Sequence, residues 1–337
     1  VSWAVWITGP PGSIAPEVAR AAAEALEAGG VRVALLQLDE IRPLLTPSPT
    51  DSATEGDLVH RALVYIASTL VAAAVPVVIA APGHRRAWRD LARAAIPRFA
   101  EVQVRDPNAA ADAAYEAATS PELIIDTSQE TPAEGGERIA AAIADWRQGR
   151  AQACAARWAL WITGLPGSGK TTIASRVAEA LAAGGLDVRV LDLADIRAFI
   201  DQAWSPLAED VAHRALVYAA MRLTEAGVAV IIDATAPARA WRSLARERIA
   251  RFAEVQLVCP AEVCASRERA VRWRLLGCAH RDVPRRVPDR PDIVLAYERA
   301  DSPEAVIYTD VEDPWSAADT VLRLAARLTG SANTRVS

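Results

Sequence analysis

The sequence predicts an α/β protein built from two tandem domains, each a three-layer α/β/α sandwich around a mainly parallel sheet. Three observations carry that reading. One unit is written twice along the 337 residues. Within each copy, short apolar strands alternate with helical periods. In the second copy a glycine-rich turn joins a strand directly to a helix. A chain of this length also exceeds what one compact core usually holds.

The repeat is read from matched segments. Trp3-Ala-Val-Trp-Ile-Thr-Gly9 returns as Trp158-Ala-Leu-Trp-Ile-Thr-Gly164, and His60-Arg-Ala-Leu-Val-Tyr65 as His213-Arg-Ala-Leu-Val-Tyr218. Arg98-Phe-Ala-Glu-Val-Gln103 returns as Arg251-Phe-Ala-Glu-Val-Gln256, and Ser120-Pro-Glu122 as Ser302-Pro-Glu304. The stretch from Pro260 to Tyr297 answers only Pro107 to Tyr115, so the second copy carries an insertion there. Copies this long are domains, since solenoid units run to about 20–50 residues. The boundaries expected are 1–150 and 151–330, with the linker inside 148–157 and a small, polar tail from Gly330.

In the second copy the elements follow in order. Trp158–Thr163 is a strand entering the glycine turn, and the helix from Thr171 stops near Gly184-Gly185. Val188–Leu193 is a strand, and Val211–Glu225 a helix. Val228–Ile232 is wholly apolar, as a strand covered on both faces requires. Arg239–Arg251 is helical, Glu254–Cys259 and Val306–Thr309 are strands, and Pro314–Leu328 closes the copy as a helix.

Composition narrows the class. At 52% hydrophobic and 23% charged the chain reads as globular, not disordered. A net charge of −5 gives no general reason to expect a nucleic-acid partner. No apolar run approaches the ~20 residues of a membrane span, and the apolar start reads as a strand, not a signal peptide. The four cysteines, Cys154, Cys259, Cys264 and Cys278, are too few for a disulfide scaffold. With His280 they match no common zinc spacing. A reducing cytoplasm is the default.

The chemistry concentrates in Gly164-Leu-Pro-Gly-Ser-Gly-Lys170-Thr171-Thr172. Lys170 is the sole lysine among 37 basic residues. It stands at the lysine of G-x-x-x-x-G-K-[ST], the phosphate-binding loop of P-loop NTPases. There a slim ammonium must reach the β- and γ-phosphates, for which a planar guanidinium is a poor substitute. Gly164, Gly167, Ser168, Gly169, Lys170, Thr171 and Thr172 are therefore the expected ATP site. Thr171 is the expected Mg2+ ligand.

The first copy has lost these groups. Its loop, Gly9-Pro-Pro-Gly-Ser-Ile14-Ala15-Pro16, puts isoleucine, alanine and proline at the last glycine, the lysine and the hydroxyl. Gln37 replaces Asp192 and Ala80 replaces Asp233. The apolar skeleton persists, so the first copy is expected to be a pseudoenzyme.

Asp192 and Asp233 each end a strand, on the rim where open parallel sheets place active sites. Asp192 is read as orienting an acceptor or holding Mg2+ through water, with helix capping as the bland alternative. Asp233 in Ile-Ile-Asp-Ala-Thr235 carries the same two readings, site or structure. His213 recurs as His60 in the degenerate copy, which favours packing. Trp3/Trp158, Trp6/Trp161 and Trp88/Trp241 are likewise read as core, whereas Trp204 and Trp273 have no tryptophan counterparts and suit stacking.

From Trp158 to about Leu328 the second copy resembles the adenylyl-sulfate (APS) kinases, P-loop enzymes that phosphorylate the 3′-hydroxyl of APS with ATP. Trp161-Ile-Thr-Gly-Leu-Pro-Gly-Ser-Gly-Lys-Thr-Thr172, Val190-Leu-Asp-Leu-Ala-Asp-Ile-Arg197, Trp204-Ser205, Pro237-Ala-Arg239, Cys259-Pro-Ala-Glu-Val-Cys264 and Tyr297-Glu298 carry the resemblance. It implies that Arg197 contacts the phosphosulfate and Trp204 stacks on the adenine. It puts Arg214 and Arg239 on the substrate side and has lid arginines, from Arg267 onward, close over ATP. The chain departs from the family at Ala194, where a second aspartate is usual. It departs again at Glu209, the place of an APS-binding arginine, and at Ala212, the place of an asparagine. A glutamate there repels a dianion.

The expected function is thus an ATP- and Mg2+-dependent kinase of the APS-kinase type. Its inactive N-terminal domain would act as an intramolecular dimer partner, giving a monomeric pseudo-dimer. One alternative is a P-loop kinase on another nucleoside, sugar or specialised-metabolite hydroxyl. The other is a non-catalytic ATP-binding sensor or scaffold.

Overall fold

The computed structural model describes residues 2–50, 52–107, 109, 115–146, 157–200, 205–277 and 297–330. The chain divides into two compact units, Val1–Ala155 with Ala194–Ala226, and Ala156–Leu193 with Gly227–Ser337.

The first unit contains β1 (Ala4–Thr8), α1 (Ala15–Ala28), β2 (Ala34–Gln37), α2 (Leu38–Leu45) and α3 (Ala53–Ala72). It continues with β3 (Val77–Ala80), α4 (Arg86–Ala95), β4 (Phe99–Arg105), β5 (Leu123–Asp126) and α5 (Pro132–Ala142). The second copy supplies β6 (Ala159–Thr163), α6 (Lys170–Ala183), β7 (Val188–Asp192), α7 (Leu193–Ile200), α8 (Pro206–Glu225), β8 (Ala229–Asp233) and α9 (Arg239–Arg248). β9 (Phe252–Val258), α10 (Ala261–Gly277), β10 (Ala305–Tyr308) and α11 (Pro314–Gly330) follow.

Each copy forms a five-stranded sheet, ordered β2-β3-β1-β4-β5 and β7-β8-β6-β9-β10. Every pairing is parallel. The repeated Trp-Ile-Thr strand is central in both, which explains its apolar character on both faces. In the second sheet Trp158, Leu160 and Ile162 point to one face and pack with Ile173 and Val177 of α6 and Val321 and Leu324 of α11. The opposite face carries Trp161 and, on β9, Glu254. There Arg242 of α9, wholly buried, donates from Nε to Glu254 at 2.6 Å. Arg89 and Glu101 repeat this buried pair in the first copy. Shared by a copy with no phosphate-loop lysine, the pair belongs to the skeleton.

Inside the first unit, α3 and α8 pack side by side. Arg214 on α8 donates to the Leu44 carbonyl at 3.3 Å, and Arg222 to the Leu35 carbonyl at 3.3 Å. Phe199 lies against Tyr65 of α3, with ring centroids 5.9 Å apart. Leu44 and Phe199 are matching positions of the repeat, so α2–α3 and α7–α8 contact each other reciprocally, as the halves of an isologous interface do.

Some boundaries differ from the sequence reading. The α8 helix begins at Pro206, ahead of the apolar period, because Ser205 accepts from the Ala208 N–H and Pro206 is preset for the first turn. The α9 helix stops at Arg248, since the next residues lead into β9. The arginine-rich insertion opens as helix α10.

His60 and His213 are buried at the same place in the two copies, each with Nδ1 on the carbonyl one turn earlier. Burial pushes both down to about 4. The unfolded chain, titrating near 6.5, binds protons the native state refuses. Stability is therefore expected to fall as pH drops from about 6.5 to 4, by up to about 3 kcal/mol per histidine. Urea unfolding across that range should show the loss, and His60→Gln with His213→Gln should flatten it.

Candidate active site

Strand β6 delivers the chain to the glycine turn, and α6 starts at Lys170, with Gly169 as N-cap at φ +95°. That left-handed angle suits glycine alone. Gly167 is also required, because a Cβ there would stand 2.3 Å from the Cys264 carbonyl oxygen of α10. The turn therefore packs so closely under α10 that only bare backbone fits.

Lys170 folds over this turn, its Nζ 3.2 Å from the Gly164 carbonyl and 3.1 Å from that of Leu165. Burial lowers its pKa, while Asp233, Glu268 and Asp192 pull the other way. Asp192 and Asp233 are register partners at the carboxyl ends of β7 and β8. Asp233 is 4% exposed, and its Oδ2 has no hydrogen-bond partner among the described residues. Burial raises its pKa. The Thr171 hydroxyl bonded to it and Lys170 oppose that rise, and the charge on Asp192 adds to it. The loop, the lone ammonium, the Thr171 hydroxyl and both strand-end carboxylates are thus gathered at one sheet edge. Two carboxylates and a hydroxyl, with one orphaned carboxylate oxygen, form a hard oxygen donor set of the kind Mg2+ takes. Thr172 is exposed on the next position of α6.

The other expected residues fall elsewhere. Arg267 donates to the Thr309 carbonyl at 2.7 Å and to Cys259 Sγ at 3.7 Å. Arg239, at the start of α9, holds Asp301 and is half-buried. Arg197 grips Glu209, with Nε 2.9 Å from Oε2 and Nη2 on Oε1. Arg214 holds Asp210 at 2.7 Å. Arg42, which matches Arg197, is likewise held by a glutamate, Glu55, although the residue that matches Glu209 is Gly56. Trp204 lies outside the described residues, as do the side chain of Trp273 and those of the lid arginines beyond Arg269. Cys259 and Cys264 are buried and free, and no group of three or more metal-binding side chains occurs among the described residues.

The first copy's turn is internally satisfied. Ile14, in place of Gly169, has φ −79°, and its N–H donates to Asp106 Oδ2 at 3.3 Å. Gln37, in place of Asp192, is tied to Arg20 at 3.3 Å and to Glu40. Sequence reading missed Asp106, Thr309 and the buried Arg242–Glu254 pair. The pair left a signal, since both its members lie within repeated segments, and so did Thr309, which Thr127 answers in the first copy.

A central parallel strand feeding a lysine-bearing glycine turn, with acidic residues ending the neighbouring strands, defines a P-loop phosphotransferase. The adenylylsulphate kinase family profile matches residues 1–116 and 156–306, so the chain belongs to that family. A probable adenylyl-sulfate kinase of Archaeoglobus fulgidus is 32% identical over 150 residues, 42% of this chain and 97% of the relative. An adenylyl-sulfate kinase of a Synechococcus strain is 34% identical over 155 residues, 44% of this chain and 89% of the relative. The Mycobacterium tuberculosis APS kinase, solved with AMPPNP and APS, is 26% identical, covering 50% of this chain and 98% of its own, at a TM-score of 0.41. The protein is accordingly an ATP-dependent phosphotransferase. No helix among the described residues is long and apolar enough to cross a membrane.

Proposed function

We propose that the second copy transfers the γ-phosphate of ATP to the 3′-hydroxyl of adenylyl sulfate, the substrate its relatives are named for. The observation that carries this reading is the meeting of Lys170, Thr171, Asp192 and Asp233 at the mouth of the glycine turn. The N–H groups of the turn, with Gly164, Gly167, Ser168 and Gly169, cradle the phosphates at the positive end of α6. Lys170 leaves its carbonyl partners for the β- and γ-phosphates and neutralises charge there. Thr171 and Asp233 would hold Mg2+, which would supply further charge neutralisation there. Asp192 orients the attacking hydroxyl and accepts its proton. Arg239, if freed from Asp301, serves the acceptor.

The first copy is inactive in this reading. Its turn offers no ammonium, no left-handed N-cap and no free amide at Ile14, since Asp106 already occupies that N–H. It acts as an intramolecular dimer partner, supported by the reciprocal α2–α3 and α7–α8 contacts. Two free, buried thiols suit a cytoplasmic location.

One observation favours a second reading, a different hydroxyl acceptor. Arg197 is neutralised by Glu209, a residue 6% exposed, and Arg42 of the degenerate copy is likewise held by a buried glutamate, Glu55, one position before the match to Glu209. An arginine held this way is a skeleton element and a weak ligand for phosphosulfate. The test is a panel incubation with Mg-ATP, APS, nucleosides and sugars, read by ADP release and acceptor mass gain. Turnover with APS supports the first reading, turnover with another alcohol alone supports the second, and ATP binding with no turnover refutes both.

A further inference from the structure

Thr309 follows β10 and is 8% exposed. Its N–H bonds to the Val258 carbonyl at 3.0 Å, which fixes its backbone against β9. Its hydroxyl then donates across the sheet edge to the carbonyl of Ser168 in the glycine turn, at 2.9 Å. In a trans peptide the C=O and N–H point in opposite directions. Pinning the Ser168 carbonyl to Thr309 therefore aims the Gly169 N–H away from Thr309. Arg267 braces the threonine, with Nη2 2.7 Å from its carbonyl and Nη1 3.5 Å from its hydroxyl oxygen.

The repeat supplies an internal control. Thr127 occupies the matching position after β5, and its N–H makes the matching bond to the Arg105 carbonyl at 3.0 Å. Its hydroxyl, however, turns to the Arg105 carbonyl at 3.2 Å. In that copy the amide matching Gly169, that of Ile14, is occupied by the Asp106 carboxylate. The same residue type on the same backbone thus reaches the turn only where the turn retains its glycines and lysine.

We propose that Thr309 is a positioning residue for phosphate binding, holding the Ser168–Gly169 peptide with its N–H towards the nucleotide while Arg267 locks the threonine in place. This rests on the reading that the turn of the second copy is the ATP site. Arg267 thereby acts on ATP through the loop.

The test uses the full chain with Thr309→Val, which removes the donor at nearly constant shape, and Thr309→Ser, which keeps it. Mg-ATP dissociation constants come from calorimetry, and KM for each substrate from steady-state rates. Loss of one aimed hydrogen bond is expected to weaken Mg-ATP about five- to tenfold in Thr309→Val. The KM for ATP should rise in step, with the acceptor KM unchanged, and Thr309→Ser should stay within about twofold of the parent. A merely structural threonine would shift the unfolding midpoint but not split the two KM values. Unchanged ATP affinity in Thr309→Val, or a Thr309→Ser variant as weak as Thr309→Val, overturns the proposal. In parallel, ATP binding that survives Lys170→Ala overturns the underlying site as well. Binding lost in Lys170→Ala but intact in Thr309→Val overturns only the role of Thr309.

Discussion

Lys170→Ala is expected to abolish measurable phosphoryl transfer, lowering kcat/KM for ATP by at least about 10²–10³-fold while the protein remains folded. The size follows from where the ammonium sits. It is the single lysine of the chain, half-buried beside two carboxylates, and it is parked on two carbonyls that it can exchange for phosphate oxygens. Removing one preorganised donor from a site of developing charge commonly costs this much. Fold stability should change little, because the two carbonyls it leaves sit at the mouth of the turn, where water can replace the ammonium. Lys170→Arg should rescue poorly, since a planar fork does not fit a turn packed this tightly against α10. Steady-state rates beside a circular-dichroism melt separate the two effects. A variant that keeps a tenth of parental activity contradicts the assigned role.

Asp233→Asn is expected to move activity and stability in opposite directions. The carboxylate is 4% exposed, one oxygen lacks a partner among the described residues, and its pKa is raised by burial and by neighbouring Asp192. Keeping it ionised therefore costs stability, which returns as pH falls through the raised value towards the ordinary carboxylate range. The amide removes that cost and retains a partner for Thr171, so the melting temperature should rise. The same change removes a charged oxygen from the proposed Mg2+ site, and kcat should fall by about 10²–10⁴-fold. Such opposition marks a functional site, where a structural carboxylate would show a loss of stability. Unchanged kcat, or a lower melting temperature, would point to a structural aspartate.

Much of this was legible in the sequence, for identifiable reasons. The glycine turn reads directly because its chemistry needs consecutive residues, and both parallel sheets read because central strands must be apolar on each face. The replacement of the turn's last glycine, lysine and hydroxyl by Ile14, Ala15 and Pro16 was equally local. What stayed hidden was long-range pairing. Arg267 carries no mark showing that Thr309, and not a nucleotide, takes its guanidinium. Nor does Arg197 announce its bond to Glu209, although the departure at Glu209 already marked that position as changed. The grouping of Ala194–Ala226 with the first copy depends on how α3 and α8 pack, which no linear pattern encodes.

The stoichiometry of nucleotide binding bears most directly on the proposal that the second copy's turn alone takes nucleotide. Calorimetric titration of the full chain with a non-hydrolysable ATP analogue and Mg2+ should give one site per chain, absent in Lys170→Ala. Two sites per chain, or one that persists without the lysine, would contradict it.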